Sequence, residues 1–314
     1  MTPGFGQSER AAAETLIGLA LTEDLSEAGD LTSQALIAEN EIGEVNVVAR
    51  KPGVLAGEPI GALVFERLSP PAKWTAALSD GERVARGTVI ATVYGPLRTL
   101  LTGERTALNF LTHLGGIASL TRQFVDAAAG TRARILDTRK THPGYRILEK
   151  YAVRCGGGTN HRMGLYDGVL IKDNHLAGWS EYHRGATLAD AVRQAQKACG
   201  PGVSIEVEVD TLEQLEDVLK AAPQIVLLDN MSPAQMRQAV EIRDRTQPGT
   251  LLEASGGVTL DTIPEIARTG VERISSGALT HSAPALDIAF DWKGRREACE
   301  IRRVLPANDA NTRE

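Results

Sequence analysis

Aromatic side chains make up only 4% of the 314 residues, so the core has to be built mostly from aliphatic side chains. Cysteine is scarcer still. Cys155, Cys199 and Cys299 are odd in number and show no CxxC spacing, which argues against a disulfide framework or a zinc site and fits reduced structural thiols. Excess positive charge is also missing: 34 basic against 40 acidic side chains leave a formal net charge of −6. Capture of nucleic acid or of an anionic membrane through bulk charge is therefore not expected. No segment reaches membrane-spanning length, and MTPGFGQSER has neither the basic start nor the apolar stretch of a secretory leader. The expected location is cytoplasmic.

What is present is 42% hydrophobic and 24% charged residues, ordinary for a folded chain long enough for two domains. From about residue 130 onward, short aliphatic runs alternate with amphipathic helical patterns, as in a parallel sheet of repeated βα units. The predicted strands end near Asp137, Lys172, Val209, Asp229, Ser255 and Ser276. Between them Leu212, Leu215, Val218 and Leu219 recur at helical spacing. Ser232-Pro233 reads as an N-cap and first helical residue, and Ile263, Ile266 and Ala267 form a helix stopped by Gly270. No GxGxxG loop follows any of these strands, which favours an incomplete α/β barrel over an open doubly wound sheet.

The first 115 or so residues read as a smaller α+β unit. Helices are predicted near Ala11–Leu21 and Thr32–Ala38, and strands over Val45–Ala49 and Val89–Val93. A helical connector over Leu101–Phe124 leads into the barrel. The stretch Asp80–Gly95 has the rhythm of a flattened sandwich hairpin such as carrier domains use, but it holds no lysine to bear a prosthetic group, so a structural hairpin is expected. The polar tail from about Ala298 should fray.

In SIEVEVD, the period-two geometry of a strand puts Ile205, Val207 and Val209 on one face and Glu206 and Glu208 on the other. Carboxylates turned into a barrel need cations or hydrogen-bond donors. They either act on a substrate or balance internal lysines. Candidate cations fall at strand ends: Arg139 and Lys140 in DTRKTHPG, His161 and Arg162 after CGGGTN, and Lys172 in GVLIKDNH. Lys172 follows the apolar run Val169–Ile171 and should be partly enclosed. In a parallel barrel the carboxyl ends of the strands share one face, so these residues converge there.

The run CGGGTN lacks the GxxxxGK[ST] form of a nucleoside-triphosphate loop, but lets the chain turn sharply and present His161 and Arg162 inward. ASGGV at Ala254–Val258 and SSGAL at Ser275–Leu279 follow the last two strands, where barrels often hold a phosphate on backbone N–H groups. His113, His142, His175, His183 and His281 show no metal-ligand spacing and are read as structural or as supports behind the site residues. Several cations, two or three carboxylates and a phosphate cradle, without a nucleophile, suit a pair of polyanionic substrates.

ERTALNFLTHLGGIASLT, DTRKTHPGYRILEKYAVRCGGGTNHRMGLYDGVLIKDNH, IEVEVDTLEQ, VLLDNMSP, LEASGGV and ISSGALTHSAPALDIAFDW closely resemble the quinolinate phosphoribosyltransferase family, and GDLTS at Gly29–Ser33 fits too. The resemblance runs over nearly the whole chain. It implies a type II phosphoribosyltransferase with an N-terminal α/β sandwich, residues 1–117, joined by the C-terminal segment 285–314. Residues 118–284 would form an incomplete α/β barrel, roughly seven-stranded. By the same resemblance Arg139, His161 and Arg162 match positions that grip the quinolinate carboxylates. Lys140 and Lys172 match lysines between the two substrates, and Glu206 and Asp229 match acids at the ribose and Mg²⁺, the expected cofactor. Ser255, Gly256, Gly257, Ser276 and Gly277 fall in phosphate-binding turns. The family assembles as dimers or larger, and Arg105 matches the arginine that reaches a neighbouring subunit's site. Ser276 stands where the family's ISVGALT pattern carries an aliphatic residue, a change that a backbone phosphate contact would survive.

The implied reaction joins quinolinate to 5-phosphoribosyl 1-pyrophosphate, giving nicotinate mononucleotide, pyrophosphate and CO₂ in de novo NAD biosynthesis. A phosphoribosyltransferase for a related ring is the nearest rival, and a non-catalytic metabolite sensor on the same scaffold is the other.

Overall fold

The computed structural model describes residues 4–200 and 202–294. Cys299, the tail from Ala298 and residues 295–314 of the returning segment lie outside the described residues. In chain order the strands are β1 (Ile42–Ala49), β2 (Gly53–Val54), β3 (Lys73–Ala76), β4 (Arg83–Val84), β5 (Val89–Pro96), β6 (Arg134–Leu136), β7 (Val169–Ile171), β8 (Ile205–Val209), β9 (Ile225–Asp229), β10 (Leu251–Ser255), β11 (Arg273–Ser275) and β12 (Ile288–Gly294).

Two sheets organise the molecule. An antiparallel sheet runs in the order β12-β1-β5-β3, and a parallel one in the order β6-β11-β10-β9-β8-β7. Each end of the parallel sheet is left without a strand partner, so the barrel is open at a seam between β6 and β7. Thr159 adds a single parallel bridge to Leu136 on that seam, where a seventh strand would stand. The predicted strand ends coincide with the six strands of this sheet. In the middle of this sheet the apolar run is fully enclosed: Ile225, Val226, Leu227 and Leu228 of β9 are all buried.

The helix Leu97–Ala127 joins the two sheets and is longer than the connector predicted from sequence. It holds no internal proline, and its buried face runs from Leu97 through Leu111 and Leu114 to Phe124. Near its middle the chain passes so close that a Cβ on Gly116 would stand 2.3 Å from the Pro284 carbonyl. That close approach brings the last described segment back: Leu286 donates its N–H to the Thr112 carbonyl at 2.9 Å, and β12 then pairs antiparallel with β1.

The hairpin expected over Asp80–Gly95 does not form. Its first half is bound elsewhere, with β4 paired to β2, while β5 lies between β1 and β3. Hydrogen bonds from Leu55 N–H to the Glu82 carbonyl and from Gly81 N–H to the Leu55 carbonyl, 3.0 and 2.8 Å, fix that alternative partner. No described helix is long and apolar enough to cross a membrane.

Candidate active site

The carboxyl ends of the parallel strands open into a cleft of about 750 Å³. Its walls collect Arg139 and Lys140 after β6, His161 and Arg162 beyond the glycine run, Lys172 after β7, and Asp229 at the end of β9. The two Ser-Gly turns, with Ser255, Gly256 and Gly257 after β10 and Ser276 and Gly277 after β11, close the opposite side. A cavity of similar size, about 800 Å³, lies against Asp30 and Arg98 near the N-terminus. Two of its charged groups are already satisfied: Asp30 accepts from Ser33 and Thr102, and Arg98 donates to the Ile37 carbonyl. The barrel cleft is where cations from several strand ends converge.

Arg139 is the clearest case. Its Nε is buried with no hydrogen-bond partner, and Arg162 stands close enough for the like charge to oppose its own. Burial, then the Arg139 charge, hold Arg162 below the usual guanidinium range. Two guanidiniums so placed call for an anion between them, and planar forks of this kind match carboxylates. Lys140 is exposed and makes no ion pair with a described residue. It crosses Gly277, where an added Cβ would meet the lysine Cδ at 2.7 Å. Lys172 is about half exposed, more open than its apolar run suggested, because β7 is the strand at the seam. It is paired with Glu208 at 2.5 Å.

The loop that carries His161 and Arg162 is held from below. Gly157 turns the chain at φ +88°, a conformation L residues resist. Asp137, at the end of β6, then accepts from the His161 N–H at 2.9 Å and from Asn160 Nδ2 at 2.5 Å. Lys150, fully buried, is ion-paired with the fully buried Asp137 and donates to the His161 carbonyl at 3.0 Å. Burial raises Asp137 and lowers Lys150. Lys150 was not singled out from the sequence, where a lysine in an amphipathic helix looks like any solvated one.

His161 reaches the cleft wall, but both of its ring nitrogens are committed. Nε2 lies 3.0 Å from Glu206 and 3.5 Å from Glu253, and Nδ1 accepts the Arg162 N–H at 2.8 Å. Two influences oppose each other here. Burial works against a charged ring, but the carboxylates of Glu206 and Glu253 outweigh it and lift the His161 pKa to about 9. The Arg162 N–H, by contrast, fits only a ring whose proton sits on Nε2, so protonating Nδ1 requires that bond to open.

Glu206 does not line the cleft. It is 3% exposed, beneath His161, and borders a separate space of about 220 Å³ with Ser204, Ile225 and Arg273. Burial raises its pKa, with the His161 contact opposing. Glu208, two residues nearer the strand end on the same face, is the carboxylate at the cleft, beside Asp229. The period-two pattern showed the shared face but not the depth. Glu206 faces His161 in the interior rather than a lysine. Arg105 also lies off the cleft, exposed on the helix Leu97–Ala127.

The turn at Gly256 is equally specific. Its φ is +83°, and an added Cβ would lie 2.3 Å from Asn230 Oδ1. The side chain of Ser276 points to the Val258 carbonyl at 3.4 Å and its backbone N–H is donated to the Leu136 carbonyl at 3.0 Å, so in this turn the next residue, Gly277, is the one left to offer an N–H.

Comparisons with known proteins show what the whole chain resembles. The description "Quinolinate phosphoribosyl transferase, N-terminal domain" matches residues 30–115, and its C-terminal counterpart matches 117–291. The chain is 45% identical over 282 residues to the nicotinate-nucleotide pyrophosphorylase [carboxylating] of Mycobacterium leprae, covering 89% of this chain and 97% of that one. It is 38% identical over 287 residues to quinolinate phosphoribosyltransferase [decarboxylating] 1b of Nicotiana tabacum, covering 88% and 81%. The solved nicotinate-nucleotide pyrophosphorylase of Francisella tularensis superposes with a TM-score of 0.83 at 35% identity, over 93% of this chain and all of that one.

Proposed function

The chain belongs to the quinolinate phosphoribosyltransferase family, and on that premise we propose how its cleft performs the reaction. It is a decarboxylating phosphoribosyltransferase of de novo NAD biosynthesis, converting quinolinate and 5-phosphoribosyl 1-pyrophosphate to nicotinate mononucleotide, pyrophosphate and CO₂. The observation that carries the site assignment is the pair Arg139 and Arg162, open to a cleft whose far wall is the two Ser-Gly turns.

Arg139 and Arg162 grip the quinolinate carboxylates. His161 orients Arg162 through its backbone and is held in turn by Glu206, so its role is positioning. Ser255, Gly256, Gly257 and Gly277 take the 5-phosphate on their backbone N–H groups, while Ser276, whose own N–H is bonded to the Leu136 carbonyl, shapes its turn. Lys140 and Lys172 lie between the substrates, where they steady the pyrophosphate as it leaves. The ring nitrogen attacks ribose C1, and the C1–O bond to pyrophosphate breaks with its electron pair going to the leaving oxygen. The C2–carboxylate bond then breaks, and the electron pair left on C2 takes up a proton. With no nucleophile called for, rate comes from positioning and preorganised charge.

Glu208 and Asp229 offer the hard oxygen donors that Mg²⁺ prefers, so the donor set fits that ion. Bound there, Mg²⁺ would neutralise pyrophosphate charge and hold the ribose hydroxyls. A homodimer in which Arg105 enters the neighbouring cleft would give that exposed arginine a use, and a cytoplasmic setting suits both substrates. The division into residues 1–117 with the returning segment, and 118–284, is supported by the two separate sheets, with its boundary inside the helix Leu97–Ala127. Incubation with quinolinate, 5-phosphoribosyl 1-pyrophosphate and Mg²⁺, followed by detection of nicotinate mononucleotide, tests the reading. Turnover of nicotinate in preference to quinolinate would overturn it.

A further inference from the structure

Behind the loop that carries Arg139 and Lys140, two histidines far apart in sequence meet at one carboxylate oxygen. His113 Nε2, from the helix Leu97–Ala127, is 2.9 Å from Glu149 Oε1, and His142 Nδ1, from the loop, is 2.6 Å from the same atom. Glu149 belongs to the next helix, Arg146–Cys155. Its other oxygen accepts the His142 backbone N–H at 3.2 Å.

Glu149 is fully buried, and no lysine or arginine among the described residues pairs with it. A carboxylate withdrawn from water needs positive charge nearby, and only the two imidazoles face it. The ligand atoms of the three side chains all lie within 4.8 Å of one another. In a tetrahedral site with bonds of about 2.0–2.1 Å, neighbouring ligand atoms are about 3.3 Å apart. The 2.9 and 2.6 Å separations of the two ring nitrogens from Glu149 Oε1 would therefore have to open by about 0.4 and 0.7 Å. The rings are partly preset: His113 and His142 meet edge-to-face at 5.3 Å, and Tyr145 packs edge-on against His113 at 5.6 Å. The second cluster of this kind, His161, Glu206 and Glu253, is the internal network beneath the cleft already described and has Arg273 beside Glu253.

We infer that His113, His142 and Glu149 form a binding site for a divalent transition-metal ion of the zinc type, distinct from the substrate cleft. Two imidazole nitrogens and one carboxylate oxygen select zinc-like ions over Mg²⁺, which prefers oxygen donors alone. Three protein ligands leave the fourth position open on the half-exposed His142 side. An ion there joins two helices to the loop, and so fixes the backbone two and three residues from Lys140 and Arg139. The sequence concealed the site because its ligands come from three separate elements.

The test uses the full chain stripped with a chelator and titrated with Zn²⁺ in excess Mg²⁺, without substrates, so that it stands apart from the assay of turnover. Calorimetry should show one Zn²⁺ per chain, Zn²⁺ should raise Tm, and Co²⁺ should give the visible absorption of a four-coordinate site. His113→Ala and His142→Ala should each weaken binding at least tenfold, whereas Cys199→Ser should leave it unchanged. His113→Gln with His142→Gln keeps donors for Glu149, so this folded variant should retain the Tm of the stripped protein while losing the ion. No Zn²⁺ binding above the Mg²⁺ background, or binding that survives the double variant, overturns the inference.

Discussion

His161 Nε2 lies 3.0 Å from Glu206 Oε2 inside the barrel, and the pair ties the floor of the cleft to a titration. Burial disfavours charge on the ring, but Glu206 and Glu253 raise its pKa from 6.5 to about 9. A histidine whose folded pKa exceeds its unfolded value contributes stability fully present below about pH 6.5 and lost as pH rises through about 9. The raised pKa of Glu206 acts in the same direction. Thermal unfolding followed from pH 6 to 10 should therefore show a decline across this window, of up to about 3 kcal/mol, that Glu206→Gln flattens. A level profile in the unsubstituted protein would mean that the Arg162 N–H keeps the ring neutral throughout.

The buried pair Lys150 and Asp137 predicts a larger effect. Replacing Lys150 by Met strands a carboxylate at 0% exposure and releases the His161 carbonyl. Removing one partner of such a pair costs about 3–5 kcal/mol. Urea unfolding should register that loss, and replacing both partners by apolar residues should recover much of it. If Lys150→Met unfolds at the same urea concentration as the parent, the pair is not holding the loop.

How much of this was legible in the sequence depends on whether depth mattered. The six parallel strands were readable as short aliphatic runs alternating with helical patterns; Ile225–Leu228, in the middle of the sheet, is enclosed on both faces and continuously apolar, whereas Val169 and Leu170 at the seam are only partly buried. The cations at their ends followed from barrel geometry alone. Glu206 and Glu208 could not be separated that way, since periodicity gives the face of a strand and not the distance to its open end. The Asp80–Gly95 hairpin failed because β4 found a partner, β2, some thirty residues earlier. His113 and His142 looked unrelated for the same reason: their meeting at Glu149 is a property of packing between elements.

At the phosphate side, Gly256→Ala should act on one substrate selectively. The residue sits at φ +83° with Asn230 Oδ1 2.3 Å from where its Cβ would be, so alanine costs at least about 1 kcal/mol of backbone strain and shifts the turn. The KM for 5-phosphoribosyl 1-pyrophosphate should rise severalfold while that for quinolinate stays nearly fixed. An equal rise in both would place the phosphate elsewhere.

Arg105 permits a test that separates a contribution across subunits from a local one. Arg105→Ala and Lys140→Ala should each lower turnover by about 10²-fold or more, as loss of a fixed charge from a developing leaving group does, with unfolding transitions unchanged. If Arg105 serves the neighbouring cleft, the two inactive proteins complement each other when mixed after subunit exchange. A mixed dimer then holds one cleft with its own Lys140 and a donated Arg105, and another lacking both. Random exchange makes about half the dimers mixed, each with one working site in two, so about a quarter of the parental activity should return. Should Arg105 act on its own cleft instead, every site in every dimer lacks one of the two groups, and mixing restores nothing.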